Sequence, residues 1–197
     1  MTSKADHTKQ FIIEKTAPIF NAKGYSGTSL NDMITATGLS KGSIYGNFEN
    51  KDDVALASFD YNYGLIVTYL RNQIETRPNM IDRLLVYPET YRNFLELPFL
   101  KAGCPILNTA TESDDTHPLL RTKAINALMF WKQAVIKSIN TGIERNEIKA
   151  TTDSNQFSFV LMSLIEGAVM QAKVTGNSEA LKVTMDYLEN LIKELKT

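Results

Sequence analysis

Thiols and imidazoles are scarce in this sequence: its 197 residues include one cysteine, Cys104, and two histidines, His7 and His117. A single thiol excludes an internal disulfide. One thiol with two imidazoles also falls short of the four ligands of a structural zinc site, so any metal would have to be held by carboxylates. Glycine (10) and proline (6) are sparse, while hydrophobic residues make up 43% and charged residues 22%; disordered, collagen-like and low-complexity chains are thereby excluded. Read along the sequence, no uninterrupted apolar run approaches the roughly 18 residues that cross a bilayer. The stretch Met1 to Gln10, with Lys4, Asp6, His7 and Lys9, has no apolar core of a signal peptide. A cytoplasmic chain without membrane contact is the expectation. No strand-like alternation and no internal repeat is present.

What is present is an ordinary composition on a chain long enough to bury about 70 per cent of its unfolded surface. The net charge of -1 hides an uneven distribution: residues 1–51 carry six lysines against Asp6, Glu14, Asp32 and Glu49, a net of +2, and the remainder carries -3. A mildly basic head on an acidic body is the profile of a small nucleic-acid-binding module joined to something else.

Ile13, Thr16, Ala17 and Phe20 follow the i, i+3, i+4, i+7 spacing, which predicts an amphipathic helix over 6–23 ended by Gly24 in a left-handed cap. Pro18 lies inside it, where the lost N–H costs about 3 kcal/mol, so a bend is expected there. Thr28 reads as the N-cap of a short helix carrying Leu30, Met33 and Ile34, closed by Gly38. One residue later Ser40 is the N-cap of the next helix, with Ile44 and Phe48 as its apolar positions. Two short helices joined by so tight a glycine turn make a helix-turn-helix. The second begins Ser40-Lys41-Gly42-Ser43, and a helix start bearing hydroxyls and a lysine attracts phosphate.

Phe20, Lys23-Gly-Tyr25, Thr28-Ser-Leu30, Gly38-Leu-Ser-Lys-Gly-Ser-Ile-Tyr45, Phe48 and Lys51 together resemble the signature of the TetR/AcrR family of bacterial transcriptional repressors. The resemblance covers about the first quarter of the chain, and its many positions in register make it more specific than a generic helix-turn-helix match. Two positions depart from the pattern: Pro18 falls within the first helix, and Asn47 stands where the family often has histidine or another aromatic residue.

Lys41, in the first turn of the recognition helix, has the reach for a guanine edge or a phosphate; the alternative is an ordinary solvated lysine. Gly42 costs about 1 kcal/mol relative to alanine in a helix, which points to close backbone approach to DNA, with a packing glycine as the alternative. Thr28, Ser43 and Tyr45 carry hydroxyls suited to phosphate oxygens, Tyr45 having a core role as its alternative. The resemblance implies that Lys51 and the start of the fourth helix hold phosphate as well. With Ser40 and Asn47, these residues form the candidate DNA-binding set.

Beyond Asn50 the sequence reads as helical to Thr76, from Met80 to Leu97 with an interruption at Pro88, from Cys104 to Glu112, from Leu119 to Arg145, and from Ser154 to Val174, with a final apolar stripe at Leu181, Met185, Leu188, Leu191, Ile192 and Leu195. The last two helices could be internal core. In the family that the chain resembles they form a four-helix dimer interface, which here would use Val160, Leu164, Gly167, Ala168, Leu188, Leu191 and Leu195. Glu166, among Phe159, Met162 and Val169, is a carboxylate in apolar surroundings that needs a partner; it is a candidate effector contact, with a pairing to a basic residue as the alternative. Tyr91, Phe94, Asn108, Trp131 and Met162 complete the candidate effector site, with core packing as the alternative for the aromatic residues. Cys104, at a helix start, is either a sensor thiol near that site or a small buried hydrophobe. The Glu112, Asp114, Asp115 and His117 cluster reads as a solvated acidic turn rather than a metal site.

These features predict an all-α fold: a three-helix DNA-binding head with a helix-turn-helix over residues 1–51, and a larger helical ligand-binding and dimerisation body over 52–197. The expected function is a DNA-binding repressor, a homodimer on double-stranded operator DNA released by a small-molecule effector, with no catalytic residues, metal or cofactor. The alternatives are a helical enzyme using Glu166 or the Glu112 to His117 cluster, and an interaction module on the same fold that does not bind DNA. No histidine-activated nucleophile, phosphate-cradling glycine loop or cofactor signature supports the enzyme.

Overall fold

The computed structural model describes residues 4–197. Nine α-helices are described: α1 Lys4–Gly27, α2 Leu30–Thr37, α3 Lys41–Tyr45, α4 Lys51–Glu75, α5 Met80–Arg92, α6 Pro105–Ser113, α7 Pro118–Glu144, α8 Ser154–Thr175 and α9 Glu179–Glu194, with a single 3-10 turn at Phe94–Glu96. Among the described residues the one β-type pairing is an isolated antiparallel bridge between Ile148 and Lys196. The fold is all-α, as the spacing of apolar residues predicts.

The chain forms two compact units. The first comprises the residues up to Leu65 with Cys104–Asn126; the second comprises Ile66–Gly103 with Ala127–Thr197. The expected boundary after residue 51 is therefore an element boundary: α4 starts there, and its first part belongs to the same unit as α1 to α3.

In the first unit Ile12, Ala17, Phe20, Met33, Ile44, Phe48, Val54, Ala55 and Phe59 are buried, joined by Cys104, Ile106, Leu120 and Ala124. Each large apolar side chain fully buried stabilises the fold by about 1.5–3 kcal/mol. Two buried polar pairs lie here: the Thr16 and Ser58 hydroxyls are 3.2 Å apart, and Asn62 Nδ2 donates to the Ala17 carbonyl at 2.8 Å. The backbone of α1 keeps helical dihedrals through Pro18 and leaves them at Gly24, with φ 72° and ψ 179°. The interruption thus sits at the glycine and not, as expected from the missing N–H, at the proline.

The second unit buries Leu161, Ile165, Ala168 and Ala172 of α8 with Leu181, Met185, Leu188 and Ile192 of α9 and Leu84, Val86, Tyr87 and Tyr91 of α5. Arg92 of α5 ties to α9 through Asp186 at 2.7 Å and Glu189 at 2.6 Å. Glu189 also receives Lys193 at 2.6 Å; Lys193 and then Arg92 hold its carboxyl below the usual range. Gly142 allows Ile148 to close on α7, since a Cβ there would lie 2.5 Å from Ile148 Cδ1.

One correction and one observation concern α8 and α9. Ala168 and Leu188, expected at the dimer face, are 1% and 0% exposed within the protomer, so they belong to its own core. And α8, though no uninterrupted apolar run spans it, is long and apolar enough to cross a membrane by length and composition; Leu161, Met162, Ile165, Ala168, Val169 and Ala172 are buried inside the unit, while Phe159, Val160, Met170 and Val174 are exposed.

Candidate nucleic-acid interface

The first unit presents its helix-turn-helix through a chain of local caps. Ser29 caps α2: its Oγ accepts the Asp32 N–H at 3.1 Å, and Asp32 Oδ2 accepts the Ser29 N–H at 2.8 Å. Lys23 Nζ lies 2.7 Å from Asp32 Oδ1, and this lysine, followed by the Ser29 donors, holds the Asp32 carboxyl well below the usual carboxylate range. Gly38 ends α2 in the left-handed conformation, φ 68° and ψ 10°, its N–H donating to the Ile34 carbonyl at 2.8 Å. Ser40 then caps α3, its Oγ accepting the Ser43 N–H at 3.2 Å. Cap, glycine and cap within twelve residues fix the turn between the two helices.

The N-cap role expected of Thr28 passes to its neighbour. Thr28 is fully buried, and its hydroxyl donates to the Gly24 carbonyl at 2.6 Å, because the helix is interrupted at Gly24 and leaves that carbonyl to be satisfied. Its hydroxyl is spent inside the head, so the expected phosphate contact of Thr28 is not supported. Ser29 is exposed and carries the hydroxyl at the start of α2. Ser29-x-x-Asp32 is a capping-box pattern legible in the sequence.

In and beside α3, Ser40, Lys41 and Gly42 are exposed, whereas Ser43, Tyr45 and Asn47 are half-buried. A Cβ at Gly42 would meet only Ser40 Oγ, at 3.9 Å, so packing within the protein does not require glycine there. Asn47 Nδ2 donates to the Ser43 carbonyl at 2.8 Å, which ties the end of the recognition segment back to its first turn. Asn50 caps α4 through the Asp53 N–H at 3.0 Å. Beside that cap, Lys51 Nζ lies 4.3 Å from the centre of the Tyr25 ring. The Tyr25 hydroxyl donates to Asp52, and this bond, with burial, pushes its pKa up to about 12. The edge-on ring of His117 packs on Tyr25 at 4.5 Å. His117 is buried, with Nδ1 accepting the Leu120 N–H at 3.3 Å.

The candidate effector residues divide. Cys104 is buried at the start of α6. Asn108 donates to the Asn21 backbone and side-chain oxygens at 2.9 and 3.0 Å, so its amide serves the head rather than a ligand. In the second unit Tyr91 stacks on Phe94 at 5.7 Å and on Trp131 at 6.1 Å, and Tyr87 stacks on Trp131 at 6.2 Å. The Trp131 indole N–H is buried without an acceptor. Met162 is buried and Glu166 half-buried. Glu112, read as part of an acidic turn, instead points its carboxylate at the Tyr25 and Ser26 amides.

A capped helix-turn-helix with an exposed lysine and an unpacked glycine at the start of its second helix, on an all-helical chain, defines a DNA-binding regulator. Comparison with known proteins specifies the family. Residues 12–57 match the family model described as bacterial regulatory proteins, tetR family, and residues 80–188 match that of the tetracyclin repressor-like C-terminal domain. A TetR-family transcriptional regulator from Cytophaga hutchinsonii is 43% identical, covering 100% of this chain and 98% of that one, with a TM-score of 0.94. A TetR regulator from Chloroflexus aurantiacus is 34% identical over 98% of each chain, with a TM-score of 0.93. The HTH-type transcriptional repressor DhaR of Mycobacterium sp. strain GP1 is 25% identical, over 88% of this chain and 86% of its own. The chain belongs to the TetR family and is a helix-turn-helix transcriptional regulator.

Proposed function

We propose that this regulator is a homodimeric repressor that acts in the cytoplasm, places its two α3 helices in successive major grooves of operator DNA, and leaves the operator when a small molecule binds its body. The observation that carries the DNA reading is the exposed Ser40-Lys41-Gly42 start of α3, held by caps on both sides. Ser29, Ser43, Tyr45 and Lys51 surround it as candidate phosphate contacts. Helix-turn-helix dimers read half-sites about 34 Å apart, so the separation of the two heads is what an effector would alter. Lys41→Ala and Tyr45→Phe should weaken binding to the chain's own promoter DNA in a mobility-shift assay, without changing helix content. Wild-type affinity in both variants would reject this helix as the reader.

The dimer face is supported by exposed apolar side chains on α8 and α9. Phe159, Val160, Met170 and Val174 of α8 and Val183 and Tyr187 of α9 are exposed, from 38% at Val160 to 81% at Val174. Gly167, Leu164, Leu191 and Leu195 are partly exposed and complete this face. A second copy would cover a patch of this kind.

The effector is assigned to the second unit, near Trp131 and Glu166. A carboxylate and stacked aromatic faces favour a cation or a neutral hydrogen-bond donor with an apolar body; the buried indole N–H of Trp131 adds a place for one acceptor atom. A thermal-shift screen on wild type and Glu166→Gln tests this. A cationic hit should lose much of its stabilising effect in the variant, and an anionic hit, or equal stabilisation of both proteins, would reject Glu166.

A further inference from the structure

Glu112 stands far along the chain from the helix-turn-helix, yet its carboxylate is committed to the segment leading into it. Oε2 accepts the Tyr25 N–H at 2.7 Å, and Oε1 accepts the Ser26 N–H at 2.8 Å. Those amides are presented because the backbone turns out of the helix at Gly24, with φ 72° and ψ 179°, a conformation essentially confined to glycine. The glycine also makes room: a Cβ at this position would lie 2.3 to 2.6 Å from the three carboxylate atoms of Glu112. One turn earlier on α6, Asn108 holds the Asn21 carbonyl. The helix α6 therefore satisfies a carbonyl near the end of the regular part of α1 and two N–H groups beyond it, groups that an interrupted helix leaves open.

Two consecutive amides on the two oxygens of one carboxylate make a two-point attachment. Such a grip fixes direction as well as distance, and an ionised acceptor makes each bond about twice as strong as a neutral one. What it holds is the origin of the DNA-binding surface. Tyr25 lies beneath Lys51, Thr28 returns a bond to the Gly24 carbonyl, and Ser29 caps α2.

We propose that Glu112 is a positioning residue for operator binding: its grip on Tyr25 and Ser26 sets the angle at which α2 and α3 leave α1, and Gly24 is the bare position that admits the carboxylate. The proposal rests on the head being the DNA-binding surface.

The test uses the full chain and DNA carrying its own promoter. Binding, thermal melting and amide exchange by NMR are measured for wild type, Glu112→Gln, Glu112→Ala and Glu112→Asp. In wild type the Tyr25 and Ser26 amides exchange slowly. In the Gln and Ala variants these two exchange faster and promoter affinity falls about tenfold, the equivalent of one charge-assisted hydrogen bond. The Asp variant, which keeps the carboxylate, regains part of the loss. The slope of log affinity against log salt stays at the wild-type value in all three, because no phosphate contact is removed. Wild-type affinity in the Gln and Ala variants, with or without a lower melting temperature, would overturn the proposal. So would free exchange of both amides in wild type, a result that needs no variant to fold. A wild-type chain that cannot distinguish its promoter from unrelated DNA would remove the DNA-binding reading itself, and the role of Glu112 with it.

Discussion

Asp32 does three things with one carboxylate: it closes the cap of α2 through the Ser29 N–H, accepts the Ser29 hydroxyl at 2.7 Å, and pairs with Lys23. All three favour its ionised form, so its folded pKa lies below the unfolded value. The stability it contributes is present in full above the unfolded pKa of about 3.9 and is lost as the pH falls from there through the folded value. Asp32→Asn should flatten the decline of melting temperature below about pH 4, by a small amount because the pair is exposed to solvent. An identical acid decline in thermal melts of both proteins would show that this cap does not couple to pH. The sequence made much of this legible: glycines and hydroxyl residues act over three or four positions, and Gly38, Ser40 and Asn50 fall where their spacing puts them. The roles of Thr28 and Glu112 are not legible in the sequence, for one reason. Each serves a backbone group that opens only because Gly24 turns the chain, and one of the partners lies 87 residues away.

At the scale of the helix, periodicity identifies an apolar face without saying what covers it. The final helix α9 carries Leu181, Met185, Leu188 and Ile192 on its buried side and Val183 and Tyr187 on its open side. Leu188 and Ala168 looked like interface residues because both helices are apolar on more than one side, and only the packing of α5 and α8 against α9 shows which stripe the protomer itself uses. The two sides should respond differently to charge. Arginine at both Val183 and Tyr187 should leave the protomer folded, since neither side chain is buried, and convert a dimer to monomer by placing charge in an apolar contact. Arginine at Leu188 should instead unfold the second unit, at a cost of several kcal/mol. Circular dichroism and analytical ultracentrifugation separate the two effects. A dimer of unchanged mass in the Val183/Tyr187 double variant would put the interface elsewhere.

For the whole molecule, the sequence was most informative about the head, where the helix-turn-helix is a short contiguous run, and least about the body, where the proposed effector site draws on residues of α5, α7 and α8. Tyr91, Phe94 and Trp131 do form one aromatic stack, but no local pattern distinguishes a stack that faces a ligand from one that fills a core. The net charge of -1 over the whole chain gives little general attraction to DNA, which is why the proposed binding rests on the placement of Lys41 and its neighbours rather than on bulk charge. The most direct measurement is therefore a salt titration of binding to the chain's own promoter and to unrelated DNA of equal length, with wild type and Lys41→Ala side by side. The account predicts tight binding to the promoter alone, weakening steeply as salt rises, with weaker binding for Lys41→Ala and, if Lys41 contacts phosphate, a slope lower by about one. Equal binding of wild type to both DNAs, or promoter binding indifferent to both salt and the loss of Lys41, would contradict it.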